Sequence, residues 1–78
     1  MQKTTAELAA LLGGKVEGDP DVLITGVGTL EDAQPGQVSF LGNLKYLPQL
    51  KSTRASAVLI NPATERPSQR NYILVANP

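Results

Sequence analysis

Residues Ala57-Val58-Leu59-Ile60 form an unbroken apolar run, and no other segment restricts the fold of this chain as tightly. A strand with one wet face alternates apolar and polar residues, whereas a strand covered on both faces reads as continuous apolar sequence. The run therefore predicts a central strand in a layered α/β arrangement. Gln37 to Leu41 reads as an earlier strand, with Val38 and Phe40 on one face and Ser39 and Leu41 on the other. Between the two lies a short helix, placed at about Pro48 to Thr53 because proline suits a first helical turn, with Leu47 and Leu50 pointing inward. Strand, helix and strand over residues 37–60 make a compact βαβ unit with a parallel pair and a right-handed crossover.

The remaining segments extend this core. Thr4-Thr5-Ala6-Glu7 fits a capping box, and Leu8, Leu11 and Leu12 then fall on one helical face. Gly13-Gly14 ends that helix. Lys15-Val16-Glu17 reads as a short strand and Gly18 to Asp21 as a turn. Val22 to Val27 is rich in β-branched residues and reads as one strand. Thr29 to Gln34 suggests a single helical turn capped by Thr29, closed by Pro35-Gly36. Asn61 to Asn71 is polar, proline-containing loop, with a turn at Ala63 to Glu65, and Tyr72 to Ala76 is the last strand. The expected fold is α/β of mixed character: a small mixed sheet of about five strands with two short helices.

Length and composition narrow the function. Seventy-eight residues make one small domain, which buries only about 60% of its unfolded surface and is marginally stable. Without cysteine there is no disulfide or thiolate–metal staple, and without histidine there is neither an ordinary zinc site nor histidine acid–base catalysis in these residues. No metal site and no cofactor is expected, and Ser39, Ser52, Ser56 and Ser68 have no histidine to activate them. Gly26-Val27-Gly28 lacks the third glycine of a dinucleotide fingerprint and reads as a strand end. Residues 1–39 hold two lysines against six carboxylates, a net −4; residues 40–78 hold five cations against Glu65, a net +4. The asymmetry favours an anionic ligand near the second half, but the neutral total does not suggest a nucleic-acid binder. No apolar run spans a membrane and no signal-peptide apolar region opens the chain, so the cytoplasm is the expected compartment. The chain stops just after an apolar strand, which reads as a piece of something longer.

The segment Ser39 to Tyr46 carries the functional signal. Phe40 and Tyr46 are two of only three aromatic residues, and Gly42, Asn43 and Lys45 stand between them. A strand end opening into a loop with two aromatic faces, an amide and a cation suits a flat, polar, phosphorylated ligand. Nucleobases stack on aromatic rings, and ligands of open α/β sheets bind at the carboxyl ends of strands. Each residue also has a plain structural reading: Phe40 as core, Asn43 as a turn or helix cap, Tyr46 as a half-buried anchor and Lys45 as an exposed cation.

The order Glu7-Leu8-Ala9, Leu12-Gly13-Gly14, Gly18-Asp19, Ile24-Thr25-Gly26-Val27, Leu30-Glu31, Pro35-Gly36, Ser39-Phe40-Leu41, Asn43, Lys45-Tyr46 and Ala55-Ser56-Ala57-Val58 resembles the N-terminal domain of UDP-3-O-(3-hydroxyacyl)glucosamine N-acyltransferases. Leu44 departs from the family, which commonly has proline there. The resemblance implies a uridine- or UDP-sugar-binding domain over residues 1–78, similar in fold to the N-terminal domain of Mur ligases. It implies that Phe40 and Tyr46 sandwich uracil, that Asn43 bonds its polar edge and that Lys45 lies near the phosphates. It further implies a homotrimeric enzyme of lipid A biosynthesis that moves a 3-hydroxyacyl chain from acyl carrier protein to UDP-3-O-acylglucosamine. The catalytic histidine and left-handed β-helix of such enzymes lie outside this sequence, so no catalytic residue is assigned and the chain alone is expected to be inactive. Two alternatives stand beside this reading. One is a Mur ligase N-terminal domain, although the Asp-Ser-Arg usual there is replaced by Leu30-Glu31-Asp32. The other is a packing or interaction domain with no ligand of its own.

Overall fold

The computed structural model describes residues 2–76. Strand β1 (Lys3–Thr4) leads directly into α1 (Thr5–Leu12), and the capping box is complete. The Thr4 N–H donates to Glu7 Oε1 at 2.9 Å, and the Glu7 N–H donates to Thr4 Oγ1 at 3.1 Å. Gly13 ends the helix in the left-handed conformation at φ 70°, and the Gly14 N–H closes the end on the Ala9 carbonyl at 2.8 Å. The buried stripe of α1 differs from the leucine face expected. Thr5, Leu8 and Ala9 are buried, while Leu11 and Leu12 are 66% and 51% exposed. Thr5 is drawn inward because its hydroxyl donates to the Asp19 carbonyl and its N–H to the Val22 carbonyl. Those bonds set the helix rotation so that Leu8 stays inside and Leu11 and Leu12 face outward.

The main sheet contains β2 (Lys15–Glu17), β4 (Gly26–Val27), β5 (Gln37–Phe40), β6 (Ala57–Ile60) and β7 (Tyr72–Leu74), in the order β2-β7-β6-β5-β4. Strands β4 to β7 run parallel, with β2 antiparallel at one edge. As the βαβ reading requires, β5 and β6 are parallel neighbours, with Ser39 opposite Val58. The unbroken run 57–60 is explained by two cores. Val58 and Ile60 pack with Leu30, Leu41, Leu50 and Tyr72 on one side of the sheet. Ala57 packs with Leu8, Ala9, Ile24, Val38 and Ile73 on the other. The chain is thus of mixed α/β character, with α1 over β2 and β7 on one face.

Local departures have identifiable causes. The expected strand 22–27 is split at Thr25, whose N–H donates to the Gly36 carbonyl at 2.7 Å. Strand β3 (Leu23–Ile24) therefore pairs with β1 in a separate ribbon, and β4 joins the main sheet. Thr29 to Gln34 holds the single capped turn expected and no longer helix: the Ala33 N–H reaches the Thr29 carbonyl at 2.8 Å, and Thr29 Oγ1 accepts from the Asp32 N–H. The second helix is a 3₁₀ helix, η1 (Leu44–Lys51), and starts four residues earlier than proline placement predicts. Asn43 caps it, so Pro48 falls inside the helix and leaves one rung without a donor. The expected last strand, 72–76, is shorter, although the Val75 N–H still donates to the Ile60 carbonyl. The polar loop between β6 and β7 is held by Arg66, which bonds both carboxylate oxygens of Glu17 at 2.7 and 2.8 Å. Among the described residues, no helix is long and apolar enough to cross a membrane.

Candidate functional site

Parallel pairing of β4 with β5 brings two loops to one end of the sheet. The turn 29–32 follows β4, and Gly42-Asn43 follows β5 and opens η1. Between them is a cleft of about 400 Å³, lined by Phe40, Gly42, Asn43, Tyr46, Gln49 and the 29–32 turn. This is the place where open α/β sheets hold ligands: a crevice beyond the carboxyl ends of parallel strands.

Phe40 is 47% exposed, so it is not a core residue. It follows Val38 along the strand, but α1 covers β2 and β7 and leaves this end of β5 open. Its ring lies beside Gly42, where an added Cβ would sit 3.8 Å from Phe40 Cδ2. Glycine thus keeps the floor of the cleft free of a side chain. Tyr46 is 42% exposed and belongs to the first part of η1. The third aromatic, Tyr72, differs sharply. It is fully buried, its hydroxyl donates to the Pro67 carbonyl at 2.6 Å, and burial raises its pKa above the ordinary tyrosine value.

Asn43 has two capacities in this geometry. Its Oδ1 accepts the Lys45 N–H at 3.0 Å and so caps η1. Its amide NH₂ is left as a donor at the cleft wall, suited to a carbonyl oxygen. Lys45 is not part of the cleft lining. Its Nζ stands 5.0 Å from the centroid of the Tyr46 ring, a cation–π distance. Three of the four residues singled out from sequence therefore line one cleft, and the fourth rests against one of them.

Two contributions escape sequence reading. Gln49 lies one 3₁₀ turn beyond Tyr46 and shares its face, which a helix starting at Pro48 does not reveal. The 29–32 turn, with Glu31 and Asp32, forms the other wall, and only the β4–β5 pairing brings it there. What the arrangement can do chemically is bind. It offers two half-exposed aromatic rings, amide groups and carboxylates. Among the described residues there is no cluster of histidine, cysteine, aspartate and glutamate fit to hold a metal ion.

Comparison with known proteins gives one consistent likeness. The family model of UDP-3-O-(3-hydroxymyristoyl) glucosamine N-acyltransferase, LpxD, matches residues 21–78. A UDP-3-O-acylglucosamine N-acyltransferase of Shewanella frigidimarina is 46% identical over 78 residues, all of this chain and 23% of its own length. That of Myxococcus xanthus is 46% identical over the whole chain and 22% of its own length. That of Pseudomonas syringae is 54% identical over 57 residues, 73% of this chain and 16% of its own. The chain thus spans less than a quarter of the length of these relatives.

Proposed function

This chain belongs to the UDP-3-O-(3-hydroxymyristoyl) glucosamine N-acyltransferase family, and from that premise we propose that residues 1–78 are its uracil-holding, UDP-sugar-binding module. The observation that carries the reading is the cleft itself. Phe40, Asn43 and Tyr46 converge on it, and both rings are half open to solvent where a core function would bury them. A flat pyrimidine stacks on the rings, and the Asn43 amide donates to one of its carbonyl oxygens. Lys45, tethered over Tyr46, stands near the phosphates. The alternative of a Mur ligase domain is set aside by the family match.

The whole protein, on this reading, is a cytoplasmic homotrimeric acyltransferase of lipid A biosynthesis. It acts on UDP-3-O-acylglucosamine and takes its 3-hydroxyacyl group from acyl carrier protein. The present chain supplies affinity for the nucleotide end and no catalytic group, since it contains no histidine. Incubated with acylated carrier protein and the UDP-sugar, the 78-residue chain should form no N-acylated product.

The test is steady-state kinetics of full-length variants. Base stacking on an aromatic ring is worth about 1–3 kcal/mol, and each 1.4 kcal/mol is tenfold. Phe40→Ala and Tyr46→Ala should each raise KM for the UDP-sugar by about tenfold or more. Asn43 permits a sharper comparison. Asn43→Asp keeps an acceptor for the Lys45 N–H, so the cap survives, but it removes the NH₂ donor. It should weaken the UDP-sugar as much as Asn43→Ala while retaining stability that Asn43→Ala loses. Wild-type KM in all the well-folded variants would exclude the stacking site and leave a packing domain as the better account.

A further inference from the structure

The charges around the cleft are not those of a diphosphate site. Glu31 and Asp32 line it, and no cation does. Among the described residues the sole ion pair is Arg66 with Glu17, so neither cleft carboxylate is neutralised by a partner. The other cations near η1 lie at its far end, where the Arg70 guanidinium donates to the Lys51 carbonyl at 3.3 Å. Lys45 is outside the lining, with its Nζ 5.0 Å from the centroid of the lining Tyr46 ring. Two acidic residues and no cation therefore line the cleft, with Lys45 against one of its rings.

We propose that the 29–32 turn acts as an acidic wall that sets the direction of the nucleotide. The base lies on the aromatic rings, and the diphosphate is turned away from Glu31 and Asp32 towards the Lys45 side. The inference rests on the base-stacking reading and goes beyond it in one respect: this chain selects for the nucleoside, and repulsion from the wall offsets what Lys45 gains from the phosphates, so they add no net affinity. Any cations that hold the diphosphate firmly belong elsewhere in the longer protein. Stacking and amide contacts are short-range and insensitive to salt. Repulsion between exposed charges acts across the cleft and is screened within about 10 Å at 0.1 M salt. The two contributions are therefore separable by ligand, by salt and by substitution.

The experiment is titration of the 78-residue chain with uridine and with UDP, followed by amide NMR shifts. The wild type, Glu31→Gln/Asp32→Asn and Lys45→Gln are compared at low salt and at about 1 M salt, where the screening length is about 3 Å. A well-dispersed spectrum of each variant establishes its fold. In the wild type at low salt, UDP should bind no more tightly than uridine. Neutralising the wall should shift the UDP-to-uridine affinity ratio by about threefold or more in favour of UDP, the size expected for exposed charges several ångströms apart. Lys45→Gln should shift that ratio the opposite way, and high salt should abolish both shifts. Uridine binding combined with a ratio unmoved by Glu31→Gln/Asp32→Asn overturns the acidic wall and leaves the base site standing. So does a wild type that prefers UDP by tenfold. Failure of folded chain to bind either ligand overturns the base site and the wall with it.

Discussion

Ser39 and Phe40 are neighbours on β5 with opposite fates, and each inverts what its side chain suggests. The serine is fully buried and its Oγ makes no hydrogen bond, whereas the phenylalanine beside it is half exposed. A buried hydroxyl without a partner costs about 1–3 kcal/mol relative to a satisfied one. Ser39→Ala should therefore leave stability unchanged or raise it by about 1 kcal/mol, read as the urea midpoint at constant slope. A loss of more than about 1 kcal/mol would reveal a partner for that hydroxyl. Truncation of a core phenylalanine costs about 3–5 kcal/mol. Phe40→Ala should cost well under half of that while removing a stacking face, so affinity and stability part company at this residue. The aromatic spacing was legible in the sequence, since Phe40, Asn43 and Tyr46 do reach one cleft. The exposure of Phe40 was not, because alternation along a strand says which face a side chain takes and not whether anything covers it.

At the scale of elements, η1 and α1 show caps overruling periodicity. Asn43 is extended at φ −143° and ψ 126°, and the η1 ladder begins with the Tyr46 N–H donating to the Asn43 carbonyl at 3.0 Å. The Leu44 N–H is thus outside the ladder, its side chain is 67% exposed, and Asn43 already has the conformation a residue before proline requires. Leu44→Pro should stabilise the chain by about 0.4–1 kcal/mol by restricting the unfolded state, raising the melting temperature without raising KM for the UDP-sugar. A lower melting temperature would mean that the loop needs a backbone freedom proline removes. In α1 the Thr4 N–H holds the Glu7 carboxylate below its ordinary pKa of 4.5. Such a group stabilises the fold above its unfolded value, and the contribution is lost as pH falls through the depressed folded value. Protection of the α1 amides, taken relative to their intrinsic exchange rates, should fall over that acidic range, and Glu7→Gln should remove the acid-linked part of the change. The capping box was readable because all its parts lie within four residues. The inward turn of α1 was not, because it is set by bonds from Thr5 to Asp19 and Val22.

The whole molecule is a small sheet covered on both faces, and an ion pair between residues 49 apart in sequence, Glu17 and Arg66, ties its edge strand to the 61–71 loop. Hydrogen bonds from the Arg66 guanidinium hold the Glu17 carboxyl below its ordinary range, while Glu17 raises the pKa of Arg66. Their contribution is present above the unfolded carboxyl value and fades as pH falls through the folded one. Arg66 also bonds the carbonyls of Pro62 and Thr64 and stands 5.6 Å from the Tyr72 ring centroid, so loss of the pair should loosen the 61–71 loop first. Hydrogen exchange confined to that loop in Glu17→Gln at neutral pH is the expected signature, and global unfolding would contradict it. The sequence by itself determined the elements whose causes are local: the capped first helix, the doubly covered strand 57–60, the parallel βαβ unit and the motif from Phe40 to Tyr46. Only the tertiary structure decided that Thr25 breaks a strand to bond Gly36, and that Gln49 joins Tyr46 on one helix face. It also set Glu31 and Asp32 opposite the aromatic rings, because strand pairing chooses which loops meet and that choice is made by burial summed over the whole sheet.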